Sequence, residues 1–267
     1  MSIRQYRPRN NRRRGISANQ SMGLYFLFAL AIGLQISYPL VSGDALRYVT
    51  IFFVIAGALL MLVHSFLSYG FKYFAIFGSV TFIFSLLVEI LGSKTGWPFG
   101  TYSYADSLGF KVAGVPVIVP FAWIMMAHPV LIAARKTFPS WAFLYGGAGL
   151  MVWDLFLDPQ MVAAGRWTWV VKGSHIPFQP EIPVSNAFGW LLSGMFLMTI
   201  LHFSTPRERR KVGGSLVAAD VMLFWTLFSG FVGNLFFFSR PGIALFAGLI
   251  MGVLLAPYFF NRWVGRP

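Results

Sequence analysis

The sequence predicts an all-α fold, a polytopic membrane bundle of about eight transmembrane helices. Three observations lead there. Hydrophobic residues make up 57% of the chain and charged ones 11%, where a soluble domain carries about 25% charged. Mean hydropathy is +0.68. Apolar runs long enough to cross a bilayer recur at about 21–41, 46–66, 73–91, 112–134, 139–158, 184–203, 215–238 and 242–260, which leaves almost no chain for a soluble domain.

The net charge of +13 would suggest nucleic acid in a soluble chain, so the placement of the charges decides. With the amino terminus placed in the cytoplasm, fifteen Lys and Arg fall on that side, including six in Arg4 to Arg14 and four in Arg207 to Lys211. The other side holds six: Arg47, Lys94, Lys111, Arg166, Lys172 and Arg240. That asymmetry predicts an even number of spans in the plasma membrane with both termini cytoplasmic. Residues 1–20 are expected to be a disordered basic tail that sets topology and meets anionic lipid rather than nucleic acid. Residues 21–263 are expected to form a single transmembrane domain. The chain has no cysteine, which excludes disulfides and thiolate-held metals.

Along the chain, the first span is too long for a signal peptide and lacks a cleavage site, so it is kept as a helix. Spans one and two carry little chemistry beyond Asp44 in their loop and His64. Span three, apolar from Phe74 to Val88, delivers Glu89 to its end. There Gly92, Gly96, Pro98 and Gly100 break the helix, among Trp97, Phe99, Tyr102 and Tyr104. Pro116 and Pro120 are expected to distort the first turns of span four, and His128-Pro129 to kink it. In span five, Gly146, Gly147 and Gly149 permit close helix contact. Asp154 and Asp158 share one face of that span, and Pro159 is expected to end it. The loop 159–183 again mixes glycine with Trp167 and Trp169 and closes on Glu181 and Asn186; its likeness to loop 92–111 reads as coincidence rather than an internal repeat. Asp220 in span seven is expected to pack or pair.

Eight acids exist in all, and four of them, Glu89, Asp154, Asp158 and Glu181, cluster at one membrane face. The simplest alternative is that helix ends are where acids cost least and that some pair with Arg166 or Lys172. Carboxyl groups within a bilayer are, however, costly unless used. His64, His128 and His202 show no metal-ligand spacing, and no metal site is expected. No P-loop, Gly-x-Gly-x-x-Gly or Gly-x-Ser-x-Gly motif is present, which removes support for nucleotide binding and serine hydrolysis. Acids, aromatic rings and an apolar setting suit proton-initiated chemistry on an isoprenoid-like lipid: a carboxyl held protonated acts as general acid, and aromatic faces stabilise a cation.

The pattern Glu89-x5-Thr95-Gly-x-Pro-Phe-Gly-x-Tyr-x-Tyr104, then Leu108-Gly109, Gly114-Val-Pro116, Pro120-x2-Trp123-x-Met125-Met126 and Asp154-x3-Asp158-Pro159, resembles the CruF-type carotenoid 1',2'-hydratase family of multi-pass membrane proteins, which includes γ-carotene and bisanhydrobacterioruberin hydratases. The resemblance runs from about 89 to 190. It implies addition of water to the terminal double bond of an acyclic C40 or C50 carotenoid end, membrane lipid as the surroundings, and other carotenoid enzymes as neighbours. Hydration transfers neither electrons nor phosphate, so no cofactor is expected. On this reading one of Glu89, Asp154 or Asp158 protonates the alkene, and the tertiary cation lies near Trp97, Tyr102, Tyr104 or Trp123. Another acid or Asn186 holds the water. Thr95, Phe99, Met126 and Glu181 complete the expected substrate surroundings.

Three other readings remain at this point. Asp154-x3-Asp158 also resembles a magnesium-diphosphate motif, which suggests a membrane prenyltransferase or elongase, but the remaining acids cannot supply a second motif. A carotenoid cyclase shares the protonation step. A carotenoid or lipid carrier would need none of the acids.

Overall fold

The computed structural model describes residues 17–207 and 216–264; most of the basic tail and of the inner loop after span six lies outside them. Among the described residues, eight helices are long and apolar enough to cross a membrane. They are α1 (Ala18–Ser37), α2 (Gly43–Tyr69), α3 (Phe71–Thr95), α4 (Ile118–Thr137), α5 (Ala142–Ala163), α6 (Val184–Ser204), α7 (Val217–Val232) and α8 (Pro241–Trp263). A π-helical turn, Gly233–Phe237, extends α7. Ser17 caps α1: its hydroxyl accepts from the Gln20 backbone N–H while the Gln20 side chain accepts from that of Ser17.

Helix α4 is central and buried along most of its length; α1 lies at the periphery against α2. The tightest helix pair is α5 with α6, and glycine is the reason. A Cβ on Gly194 would sit 2.9 Å from the Gly147 Cα, and one on Gly147 would sit 2.8 Å from the Met195 nitrogen, so the two backbones approach as only small residues allow.

The expectation that Pro159 ends span five needs correction. Helix α5 passes through Pro159 and ends at Ala163; the missing N–H frees one carbonyl, which a helix packed among neighbours tolerates. Pro116 sits in a short hairpin of β2 (Lys111–Val112) and β3 (Val115–Pro116) before α4 begins, and Pro120 falls in its first turn, where a backbone N–H would have no helical partner and its absence costs nothing. Helix α4 continues through Pro129. Asp220 pairs with Arg262 at 2.5 Å and accepts from the Tyr258 hydroxyl.

The two glycine-and-aromatic loops meet. Strand β1 (Thr101–Tyr104) pairs antiparallel with β4 (Trp167–Val170), with Tyr102 opposite Trp169 and Tyr104 opposite Trp167. A second hairpin, β5 (His175–Ile176) with β6 (Gln179–Pro183), leads into α6. These strands lie over one end of the bundle, at the ends of α3 and α5 that carry the acids and at the start of α6, which carries Asn186.

Candidate active site

Helix α3 ends because Gly96 adopts a left-handed conformation at φ 78°. Thr95 reinforces the stop, donating to the Leu91 carbonyl at 2.7 Å and accepting from the Trp97 N–H at 3.1 Å. The chain then turns back so that Phe99 wedges between α3 and α6. A Cβ on Gly92 would lie 2.7 Å from the Phe99 ring and the Tyr102 hydroxyl, and one on Gly189 would lie 2.5 Å from the Phe99 ring. Ser185 ties the turn to α6 by donating to the Phe99 carbonyl at 2.9 Å.

The wedge delivers β1 over Glu89. Residues two apart on a strand share a face, and both tyrosines reach the same carboxylate oxygen: Tyr102 donates to Glu89 Oε2 at 2.6 Å and Tyr104 at 2.7 Å. Trp123 of α4 donates to Oε1 at 3.2 Å. Burial, and next the Glu89 carboxylate, push both phenols above their ordinary value of 10.0, so they stay neutral donors. Glu89, itself buried, thus accepts three hydrogen bonds, a pattern suited to an anion.

The second acid group lies between α5 and α6. Asp154 and Asp158, one helical turn apart, both accept from Asn186 Nδ2, at 2.8 and 2.5 Å. Asp158 also accepts from Trp167 Nε1 at 3.1 Å. All three side chains are buried, and Asp154 Oδ1 and Asn186 Oδ1 have no protein partner. Strands β1 and β4 therefore serve both groups, the tyrosines holding Glu89 and Trp167 holding Asp158.

Beside the acids, Trp190 stacks on Trp123 at 4.3 Å between ring centroids and meets Trp153 edge-on at 5.6 Å. These rings border an apolar cavity of about 280 Å³ that runs from Glu89, Asp158 and Asn186 towards α1 and α7.

Of the residues singled out from the sequence, Glu89, Asp158, Asn186, Phe99, Tyr102, Tyr104 and Trp123 line this cavity. Asp154 stands behind Asp158 and Asn186, reaching the cavity through them. Thr95 serves the helix stop, Trp97 is exposed, Met126 is buried beside the cavity-lining Met125, and Glu181 is exposed on β6. Trp153, Trp167, Trp169 and Trp190, which are absent from the sequence-derived site, also line the cavity. Their signal was present: Trp-x-Trp mirrors Tyr-x-Tyr with strand spacing, and Trp190 follows Asn186 by one helical turn.

Of the three inner histidines, His64 and His128 lie 2.9 Å apart, with Tyr73 at 3.0 Å from His128, whereas His202 contacts Arg207. Among the described residues no group of three or more His, Cys, Asp or Glu converges as a metal site.

Buried carboxyl groups bordering an apolar cavity, among eight helices long and apolar enough to cross a membrane, define an integral membrane protein. The chain belongs to the carotenoid biosynthesis protein family, whose model matches residues 49–255 and so contains every acid, tyrosine and tryptophan described above. It is 30% identical over 187 residues to the bisanhydrobacterioruberin hydratase of Haloarcula japonica, a match covering 66% of this chain and 61% of that relative's length. No solved structure matches.

Proposed function

We propose that the chain is a carotenoid 1',2'-hydratase, a hydro-lyase that adds water to the terminal double bond of an acyclic carotenoid end without a cofactor. The observation that carries this reading is the Asp158–Asn186–Asp154 group set beside Glu89 at the inner end of an apolar cavity. Likeness to a bisanhydrobacterioruberin hydratase supports the choice of reaction.

Two carboxyl groups that share one amide donor hold one proton between them more readily than two charges. Asp158, on the cavity wall, donates that proton to the less substituted alkene carbon, leaving a tertiary cation. The Glu89 carboxylate offsets the new charge from the opposite wall. The faces of Trp123, Trp153 and Trp190 add cation–π attraction worth about 0.5 to 2 kcal/mol each. Asn186 Oδ1, buried and without a protein partner, accepts from the attacking water. The water oxygen bonds to the tertiary carbon, and its surplus proton returns to the aspartate pair. One water is consumed, and the acid is restored.

The sorting of Lys and Arg supports a single transmembrane domain in the plasma membrane, with the strand-covered face outside, both termini cytoplasmic and the basic tail against anionic lipid. Other carotenoid enzymes in the same membrane would then supply the substrate.

Expression in a bacterium that makes lycopene, with mass spectrometry of the extracted pigments, tests the reading. A gain of one water per acyclic end is expected. An isomer of unchanged mass would mean cyclisation instead, and pigments left untouched both in this host and in one that makes an acyclic C50 carotenoid would refute the proposal.

A further inference from the structure

The cavity is bordered by more than the acid-bearing helices. Its lining includes Gln35 and Ile36 of α1 and Trp225 and Phe228 of α7, with Phe237 of the π turn. Among all the residues that line it, Ile36, Phe228 and Phe237 are the exposed ones, at 53%, 46% and 54%. All three are apolar and lie within the spans 18–40 and 217–237. Exposed apolar surface at such positions faces hydrocarbon, so the mouth opens sideways into the bilayer rather than to water.

Helix α1 borders this mouth and is loosely held. Little of its apolar length is buried, and it packs chiefly on α2. Across the gap, Trp225 Nε1 donates to Gln35 Oε1 at 2.6 Å. A polar pair in hydrocarbon stays closed because neither group finds water there, yet a single neutral hydrogen bond is readily exchanged.

Size sets what enters. A cavity of about 280 Å³ lies at the small end of ligand pockets, which span roughly 300 to 1,000 Å³, and a long polyisoprenoid enters it by one end.

We propose that the gap between α1 and α7 is a lateral channel for a linear polyisoprenoid, which threads one end to the acids while the remainder of its chain stays in the bilayer. The identity of the lipid rests on the hydratase reading; the channel rests on the exposed mouth. Helix α1 lies outside the stretch matched by the family model, and its part in the channel is to form one wall and, through Gln35, to close it.

The absence of cysteine permits a direct test. Ile32 and Met222 both line a separate small void between α1, α2 and α7 and are not part of the main cavity's lining. The double variant Ile32→Cys, Met222→Cys would be bridged by a short, reductant-cleavable bifunctional thiosulfonate, in phosphatidylcholine and phosphatidylglycerol vesicles carrying an acyclic C40 polyene. Each single-cysteine variant, treated alike, is the control. Two quantities are read before bridging, after it, and after reduction: water added to the polyene, and quenching of tryptophan emission by the polyene, which needs no chemistry.

Bridging is expected to abolish water addition and to lower the quenching, with both restored by reductant. Complete bridging that leaves quenching unchanged would overturn the channel, whatever the chemistry. Quenching that responds to the bridge in a protein that adds no water would uphold the channel and remove the hydratase reading instead.

Discussion

The substitution Asp158→Asn separates the two aspartates. Asp158 accepts on both oxygens, from Trp167 at Oδ1 and from Asn186 at Oδ2. Asparagine keeps one acceptor and turns the other into a donor, so one N–H meets another N–H in a buried setting, at a cost of about 1 to 3 kcal/mol in stability. The chemistry loses its general acid, worth about 10²- to 10⁴-fold, or about 3 to 5 kcal/mol of barrier. Asp154→Asn differs. Its Oδ1 has no protein partner, so the new amide nitrogen sits there without a clash while Oδ2 still accepts from Asn186. Asp154 also stands behind the cavity wall, and its replacement is expected to slow hydration by about tenfold, less than loss of a general acid. The assay is the initial rate of water addition in vesicles, with thermal unfolding in detergent as a check that each variant is folded. A folded Asp158→Asn protein with near wild-type rate, or one outperformed in damage by Asp154→Asn, would refute the assignment of Asp158 as proton donor.

Replacing both tyrosines, Tyr102→Phe with Tyr104→Phe, removes two hydroxyl donors from Glu89 at 2.6 and 2.7 Å; each bond to a charged group contributes about 1.5 to 3 kcal/mol, and a lowered unfolding midpoint together with slower hydration is expected. Gly92→Ala places a Cβ 2.7 Å from the Tyr102 hydroxyl, so hydration is expected to fall by about tenfold, roughly 1.4 kcal/mol of barrier, with helix content by circular dichroism unchanged. Because both phenols lie above their ordinary value of 10.0, their contribution to stability is complete below pH 10.0 and is drawn down as pH rises from there. Unfolding midpoints measured across that range should fall more steeply for the wild type than for the double phenylalanine variant. Turnover in heavy water should leave one non-exchangeable deuteron on the carbon next to the new alcohol, read by mass spectrometry; its absence would exclude proton transfer from an exchangeable acid.

What the sequence determined by itself is whatever depends on short-range chemistry. Eight spans could be read because a run of apolar residues matches the bilayer's thickness whatever its neighbours do. The end of α3 was legible in Gly96 and Pro98, although the helix runs on through Gly92, and the placing of the acids at one face followed from their positions near span ends. Pro159 misled because a helix end was inferred from a local penalty that packing in a bundle absorbs.

Tertiary structure decided the partnerships. Tyr102 and Tyr104 meet Glu89 only because Phe99 fits between Gly92 and Gly189 on two different helices. Asn186 joins Asp154 to Asp158 because Gly147 and Gly194 let α5 and α6 approach. Trp167 reaches Asp158 through the pairing of two loops distant in the chain. Which acid faces the cavity and which stands behind it, and where the cavity opens, depend on how eight helices of similar hydropathy pack. No local pattern distinguishes those outcomes, since lipid-facing and partner-facing sides are nearly equally apolar.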